Sequence, residues 1–325
     1  MDRNKYTKFT DAEIGTVLSR PVLISAVNES IAKNGKTFVK IFMKDGFSEQ
    51  SATMFDTSAS ALEQKGIDKD AIADVKLQVT EYQGSKNFLV NDITITQDYS
   101  LSIDDFIKVP PVDTEKMYSE ITEIIRNSAN DYSGRYTPLA SLALKILDEN
   151  KAAYISSSAA VSMHHNLKGG LIYHSYRMVK AAEALCTVYT SLDKELMVCG
   201  AALHDIGKIW EYKTDSTGNA EFTSSGVLFG HLYMGASLIK KQTEGQNYKS
   251  EKVKMLTHMI LSHHGLQEYG AVTAPAVAEA FALYCIDNLD AKMYVFEDHR
   301  EIIEPGHLSE KKPFGMDNRI YIPNL

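Results

Sequence analysis

The stretch Val198-Cys199-Gly200-Ala201-Ala202-Leu203-His204-Asp205-Ile206-Gly207-Lys208 constrains this chain more than any other. An apolar run of helical character ends in a histidine and an aspartate, with a lysine just beyond. Burying a carboxylate beside so apolar a helix is costly unless a cation or a partner compensates it. Neighbouring helix residues point about 100° apart. His204 and Asp205 therefore cannot readily chelate one ion from one side, but the carboxylate can bridge two.

Further ligand-type residues follow along the chain. His174 sits in Gly169-Gly170-Leu171-Ile172-Tyr173-His174-Ser175, His231 in Gly230-His231-Leu232, and the pair His263-His264 before Gly265. Asp287 lies in Tyr284-Cys285-Ile286-Asp287-Asn288-Leu289-Asp290, again on an apolar helical run. Each histidine alone reads as a hydrogen-bonded core or surface residue. Seven such residues within 174–287 are candidate metal ligands. Mixed nitrogen and carboxylate donors favour Mn²⁺, Fe²⁺, Co²⁺ or Zn²⁺ over Mg²⁺ or Ca²⁺, which prefer all-oxygen shells. Two such ions polarise a water and stabilise the attacking and leaving oxygens of an in-line displacement. No serine or cysteine stands out as a covalent nucleophile.

The remaining composition narrows the class. A net charge of −8 argues against non-specific coating of nucleic acid, which rests on neutralising many phosphates. It leaves room for a local basic strip. No apolar stretch approaches the ~20 residues of a membrane span. The N-terminal residues do not form a secretory signal, and the C-terminal ones carry no lipidation motif. Cys186, Cys199 and Cys285 are widely spaced in apolar runs, which reads as buried free thiols of a cytoplasmic protein.

Residues 1–99 read as β. Runs at 14–27, 37–43, 52–55, 76–82 and 87–95 are rich in Val, Ile, Phe and Thr. Turns at Asn34-Gly35, Asp45-Gly46 and Gln83-Gly84-Ser85 separate them. A short helix at 58–66, ended by glycine, interrupts the strands. Five strands with one interposed helix make a small OB-like β-barrel. Residues 100–113, with Asp104, Asp105, Pro110 and Pro111, read as a connector. Residues 114–298 read as helical. Leu139, Leu142, Ala143, Ile146 and Leu147 form one stripe, with Thr137 as N-cap and Pro138 at the first helical position. Ser250 caps a helix presenting Val253, Leu256, Met259 and Ile260, and Thr273 begins one running through Phe281, Tyr284 and Asp287. Residues 299–325 form a tail packing back on the helical domain. The expected class is multi-domain α+β: a barrel followed by an all-α domain.

In the barrel, the run 36–44 divides by a strand's period of two. Thr37, Val39, Ile41 and Met43 face one way. Lys36, Phe38, Lys40, Phe42 and Lys44 face the other, alternating cation and ring. Such a face suits single-stranded nucleic acid, with rings stacking on bases and ammonium groups tracking phosphates. The competing reading is that the rings pack under a loop while the lysines are merely solvated.

The ordered histidines and aspartates resemble those of the HD superfamily of metal-dependent phosphohydrolases. The resemblance implies that His174, His204, Asp205 and Asp287 hold one ion. A second is held by Asp205 as bridge with His231, His263 and His264. It makes Lys208 a phosphate contact; otherwise Lys208 is a helix-terminal lysine complementing the macrodipole. His164 and His165 read either as substrate contacts in the same cleft or as polar loop residues. His258 reads as structural, and His299 and His307 as solvated tail residues.

The order of a barrel, a proline-bearing connector and an HD domain approached by His-His and Gly-Gly-Leu resembles the YhaM-type 3′→5′ exoribonucleases. That resemblance implies a barrel binding single-stranded RNA or DNA and an HD site that removes nucleotides from the 3′ end, typically with Mn²⁺. Metal-activated water attacks the terminal phosphodiester and releases 5′-mononucleotides. An HD phosphohydrolase of nucleotides or cyclic (di)nucleotides is the enzyme rival. A nucleic-acid-binding regulator with a vestigial HD domain is the rival from another class. A membrane partner is not expected, and a homo-oligomer remains compatible with the sequence.

Overall fold

Period-two alternation governs the first unit of the chain, Met1–Val109. The computed structural model describes residues 5–32, 35–129, 134–161, 167–300 and 302–325. The strands are β1 (Val17–Ile31), β2 (Thr37–Lys44), β3 (Glu49–Phe55), β4 (Ile72–Tyr82) and β5 (Ser85–Ile95), with helix α1 (Ala59–Glu63) after β3. They close into a barrel in the order β1-β2-β3-β5-β4, all pairs antiparallel except β3 with β5. That strand order defines an OB fold.

β1 serves two neighbours. Its residues 23–31 pair with β2 and 17–23 with β4, and a register irregularity at Ile24 and Ala26 lets it bend between them. The barrel core holds Val22, Ile24, Val39, Ile41, Met43 and Leu77, among others, all fully buried. Each such side chain contributes about 1.5–3 kcal/mol relative to exposure. Arg20 and Asp45 form a buried ion pair at 3.1 Å. Asp45 Oδ1 also accepts from the backbone N–H groups of Phe47 and Ser48, fixing the β2–β3 turn. The segment after β5 belongs to this unit: Phe106 and Ile107 are buried against Leu23. The barrel unit thus runs past residue 99, through most of the expected connector. Asn34, half of one expected turn, lies outside the described residues.

The second unit, Pro110–Leu325, is built from α2 (Thr114–Ser128), α3 (Leu139–Glu149), α4 (Lys151–Ser156), α5 (Gly170–Val188), α6 (Lys194–Leu203), α7 (Lys208–Glu211), α8 (Ser224–Thr243), α9 (Ser250–Ser262) and α10 (Ala278–Arg300). Helix α6 is buried at every residue from 195 to 203, all of them apolar except Glu195. Asp193 caps it by accepting from the Leu196 N–H. Its far end delivers His204 and Asp205 into the interior. Among the described residues, no helix is long and apolar enough to cross a membrane.

This unit is not all-α. Strands β6 (Tyr212–Thr214) and β7 (Ala220–Phe222) form a hairpin between α7 and α8. Asp215 organises its turn, accepting from the N–H groups of Thr217 and Asn219. Three-residue strands are too short to show a period in sequence. Helix starts also differ from expectation. Pro138, extended at φ −60° and ψ 146°, occupies the cap position of α3, one residue later than expected. Thr137 instead bridges to Tyr248. Lys249 stands at the cap of α9, and Ser250 is its first residue. The last helix begins at Ala278 and not at Thr273, because Pro275 disfavours helical geometry in the residue before it. All three cysteines are free, but only Cys199 is buried, and Cys285 is exposed.

Candidate metal centre

Three helices and the ends of two more converge on a single cluster. His174 comes from α5, His204 and Asp205 from the end of α6, and His231 from α8. His263 and His264 follow α9, and Asp287 lies on α10. The structure brings all seven of the sequence-selected residues together. His174 Nε2 lies 3.0 Å from His204 Nε2, 3.2 Å from Asp287 Oδ1 and 3.7 Å from Asp205 Oδ2. His231 Nε2 lies 3.2 Å from His264 Nε2 and 3.6 Å from Asp205 Oδ1; His263 Nε2 is 3.5 Å from the same oxygen. Asp205 thus faces one group through each of its oxygens.

Local backbone makes this convergence possible. Helix α8 is broken at Gly230, whose φ of 69° is left-handed, and the break turns His231 inward. Gly207 lets the turn after Asp205 press against α8: a Cβ there would lie 2.1 Å from the His231 carbonyl oxygen.

Every histidine of the cluster offers Nε2 inward and has Nδ1 held from behind. His204 Nδ1 donates to the Ala201 carbonyl at 2.9 Å, His263 Nδ1 to that of Ile260 at 2.8 Å, and His264 Nδ1 to that of Tyr269 at 3.1 Å. A carbonyl can only accept, so in these three the proton sits on Nδ1 and Nε2 carries a lone pair. His174 Nδ1 meets Asp290 Oδ2 at 2.7 Å, and His231 Nδ1 meets Glu211 Oε2 at 2.9 Å. Asp290 and Glu211 were not among the residues singled out from sequence. The signal for Asp290 was its place one helical turn past Asp287; for Glu211, a carboxylate in the apolar context that follows the His-Asp pair.

The electrostatics call for positive charge. Burial raises Asp205, but Lys208, at 2.8 Å from Oδ2, and His204 outweigh it and hold the carboxyl well below the usual range. Burial likewise opposes ionisation of Asp287, but His174 overcomes it and lowers the pKa. Burial disfavours charge on His174, yet Asp287 and Asp290 push it up to about 10. Burial, with His263 and His231 adjacent, depresses His264 to about 3. The result at neutral pH is ionised carboxylates among inward-facing imidazoles, with a proton held on His174 between Asp287 and Asp290.

The donor set fits a pair of divalent cations. Asp205 Oδ1 is buried with no hydrogen-bond partner among the described residues. The groups His174–His204–Asp205 and His231–His263–His264 each offer three donor atoms within 4.8 Å of one another. Ligand atoms about 2.1 Å from one ion lie roughly 3.0–3.4 Å apart, close to the shorter spacings observed.

Other sequence-selected residues fall elsewhere. His164 and His165 lie outside the described residues. His258 Nε2 accepts from the Ala276 N–H, and His299 sits in the last turn of α10, bonded to the Val295 carbonyl. On the barrel, Val39, Ile41 and Met43 are buried while Lys40 is exposed and Phe38, Phe42 and Lys44 are half-buried. Phe38 packs against Phe55 with ring centroids 6.1 Å apart, and Lys36 pairs with Asp56 at 3.7 Å.

This centre and its helical frame match the HD domain family model over residues 171–292. An HD domain implies dependence on a divalent metal, and the donor set accords with it. The 3′-5′ exoribonuclease YhaM of Bacillus subtilis (strain 168) is 31% identical over 310 residues, covering 95% of each chain. The chain belongs to the YhaM family. Among solved structures, the second OB-fold domain of replication protein A from Methanococcus maripaludis matches 28% of this chain and 95% of its own, at 18% identity and a TM-score of 0.23. The mitochondrial single-stranded DNA binding protein Rim1 of S. cerevisiae matches 25% and 94%, at 15% identity and a TM-score of 0.22.

Proposed function

We propose that this chain is a metal-dependent 3′→5′ exoribonuclease of the cytoplasm that acts on single-stranded RNA, with single-stranded DNA as a second substrate of the same chemistry. The observation that carries the reading is the buried Asp205 carboxylate, faced by inward-pointing histidine nitrogens through both oxygens, in a chain related along 95% of its length to an enzyme named for that activity. His174, His204, Asp205 and Asp287 would hold one ion, and Asp205, His231, His263 and His264 the other. Mn²⁺ is the preferred occupant, with Fe²⁺, Co²⁺ and Zn²⁺ compatible with the same donors. Divalent ions in such a site supply Lewis acidity and an activated water for phosphodiester hydrolysis.

The chain's own residues do the rest. Lys208 holds Asp205 in place and presents positive charge where a phosphate would arrive. On the barrel, Phe38 and Phe42 would stack on bases, while Lys36, Lys40 and Lys44 follow the backbone. The division of labour is then between a barrel that holds the strand and a helical unit that cuts it.

The test is a single-stranded RNA labelled at either end, incubated with Mn²⁺. A 5′ label should yield a ladder shortening from the 3′ end; a 3′ label should yield labelled mononucleotide at once. Duplex should be a poor substrate, since stacking requires splayed bases. Intact RNA beside rapid hydrolysis of a free or cyclic nucleotide would overturn the exonuclease reading in favour of a small-nucleotide phosphohydrolase.

A further inference from the structure

Two of the five clustered histidines differ from the others in what stands behind them. His204, His263 and His264 lean on backbone carbonyls, but His231 and His174 lean on carboxylates, one in each half of the cluster. A carboxylate behind an imidazole fixes its tautomer, orients the ring and raises the basicity of the nitrogen that faces the ion.

Glu211 is built into its place. It is buried, Oε2 takes the His231 Nδ1–H at 2.9 Å, and Oε1 takes the His231 backbone N–H at 3.0 Å. One side chain therefore caps the helical segment that restarts after Gly230 and aims its first side chain. The packing around Glu211 leaves no slack: a Cβ on Gly226 would lie 2.2 Å from the Glu211 carbonyl oxygen. Asp290 is the counterpart on α10. Its Oδ2 meets His174 Nδ1 at 2.7 Å, while its Oδ1 is gripped by Arg177, itself paired with Glu297. That second grip keeps the carboxylate oriented toward His174.

We propose that Glu211 and Asp290 are positioning residues, each tuning one half of the centre: Glu211 sets the affinity of the His231–His263–His264 half through His231, and Asp290 that of the other half through His174. Neither carboxylate is among the residues that would hold an ion; each meets the Nδ1 of one that would. The inference rests on the dinuclear reading above.

Calorimetric titration of metal-free, full-length protein with Mn²⁺ tests it, with circular dichroism to establish that each variant is folded. Wild type should show two binding events. Glu211→Gln should weaken one of them by about 10–100-fold, and Asp290→Asn the other, as loss of such supporting groups does. In a His231→Ala background, Glu211→Gln should cause no further weakening, because it acts through that histidine. Asp290→Asn should likewise be silent in His174→Ala. Should Glu211→Gln fail to fold, Glu211→Asp carries the same test, since it keeps the charge and shortens the reach. Variants that weaken both events equally, leave both unchanged, or add to the loss from the paired histidine variant overturn the proposal. Wild type that binds no Mn²⁺ overturns the dinuclear reading itself, a different outcome from two intact events that ignore Glu211 and Asp290.

Discussion

In the proposed function, the helical centre and the barrel strand would meet phosphate chemistry with opposite designs. In the centre, His204, Asp205 and His263 are almost wholly buried, and each imidazole is held from behind by a carbonyl or a carboxylate. On β2, Lys40 is exposed and Phe38, Phe42 and Lys44 are half-buried, leaving the outer face partly open to water. Preorganisation of the first kind keeps catalytic groups within a fraction of an ångström and makes every member hard to replace. An open face of the second kind spreads binding over many weak contacts, so single losses are tolerated. One region should therefore fail abruptly when damaged, and the other gradually.

The largest expected effect is at the bridge. Asp205→Ala removes the carboxylate that both groups of histidines approach. Metal-ion stabilisation is worth several kcal/mol, so turnover on RNA should fall by about 10³-fold or more, and metal content should drop with it. The helical unit should stay folded, because the core around α6 is apolar and untouched. Metal analysis, circular dichroism and hydrolysis rates check this together. Normal metal content with normal turnover in Asp205→Ala would sink the dinuclear assignment.

How much of this was legible in the sequence follows from the same contrast. A buried charge needs a reason, so Asp205 at the end of an apolar run announced itself, and the other ligand-type residues lined up behind it. The strand face at 36–44 was legible because a period of two separates Val39, Ile41 and Met43 from Lys40 and its neighbours. Glu211 and Asp290 were not singled out, because a glutamate or aspartate on a helix is ordinarily a solvated one. Only the third dimension shows each behind a histidine. The hairpin of β6 and β7 was lost for want of length, and the break at Gly230 because a lone glycine in a helical pattern is usually tolerated.

A middle-sized effect is expected from the rings. Phe38→Ala and Phe42→Ala should each weaken binding of a long single strand by about 1–3 kcal/mol if the ring stacks on a base. Measured by fluorescence anisotropy without divalent metal, this isolates holding from cutting. Phe38 also packs on Phe55, so a thermal melt must accompany it. A loss of stability with unchanged affinity would assign the ring to packing alone. Chelation should show the converse pattern, abolishing hydrolysis while leaving strand binding in place.

The smallest effect, and the finest test of the contrast, concerns the lysines. Lys36, Lys40 and Lys44 each release counterions when they meet phosphate, with a slope of about 0.7 in log K against log salt per contact on single strands. Replacing all three by alanine should reduce that slope by about 2. Lys36 already faces Asp56 at 3.7 Å with both side chains largely exposed. An exposed pair of that kind is worth little, roughly 0–1 kcal/mol, so phosphate can compete for Lys36 at small cost, and its share of the slope should be the lowest of the three. Hydrolysis of a minimal dinucleotide should hardly change, since none of the clustered histidines and aspartates lies on β2. An unaltered slope in the triple variant would return these lysines to a solvated face and move strand recognition off β2. A slope that falls while dinucleotide hydrolysis collapses equally would break the separation of holding from cutting, because a mutation confined to the open face would then have reached the buried one.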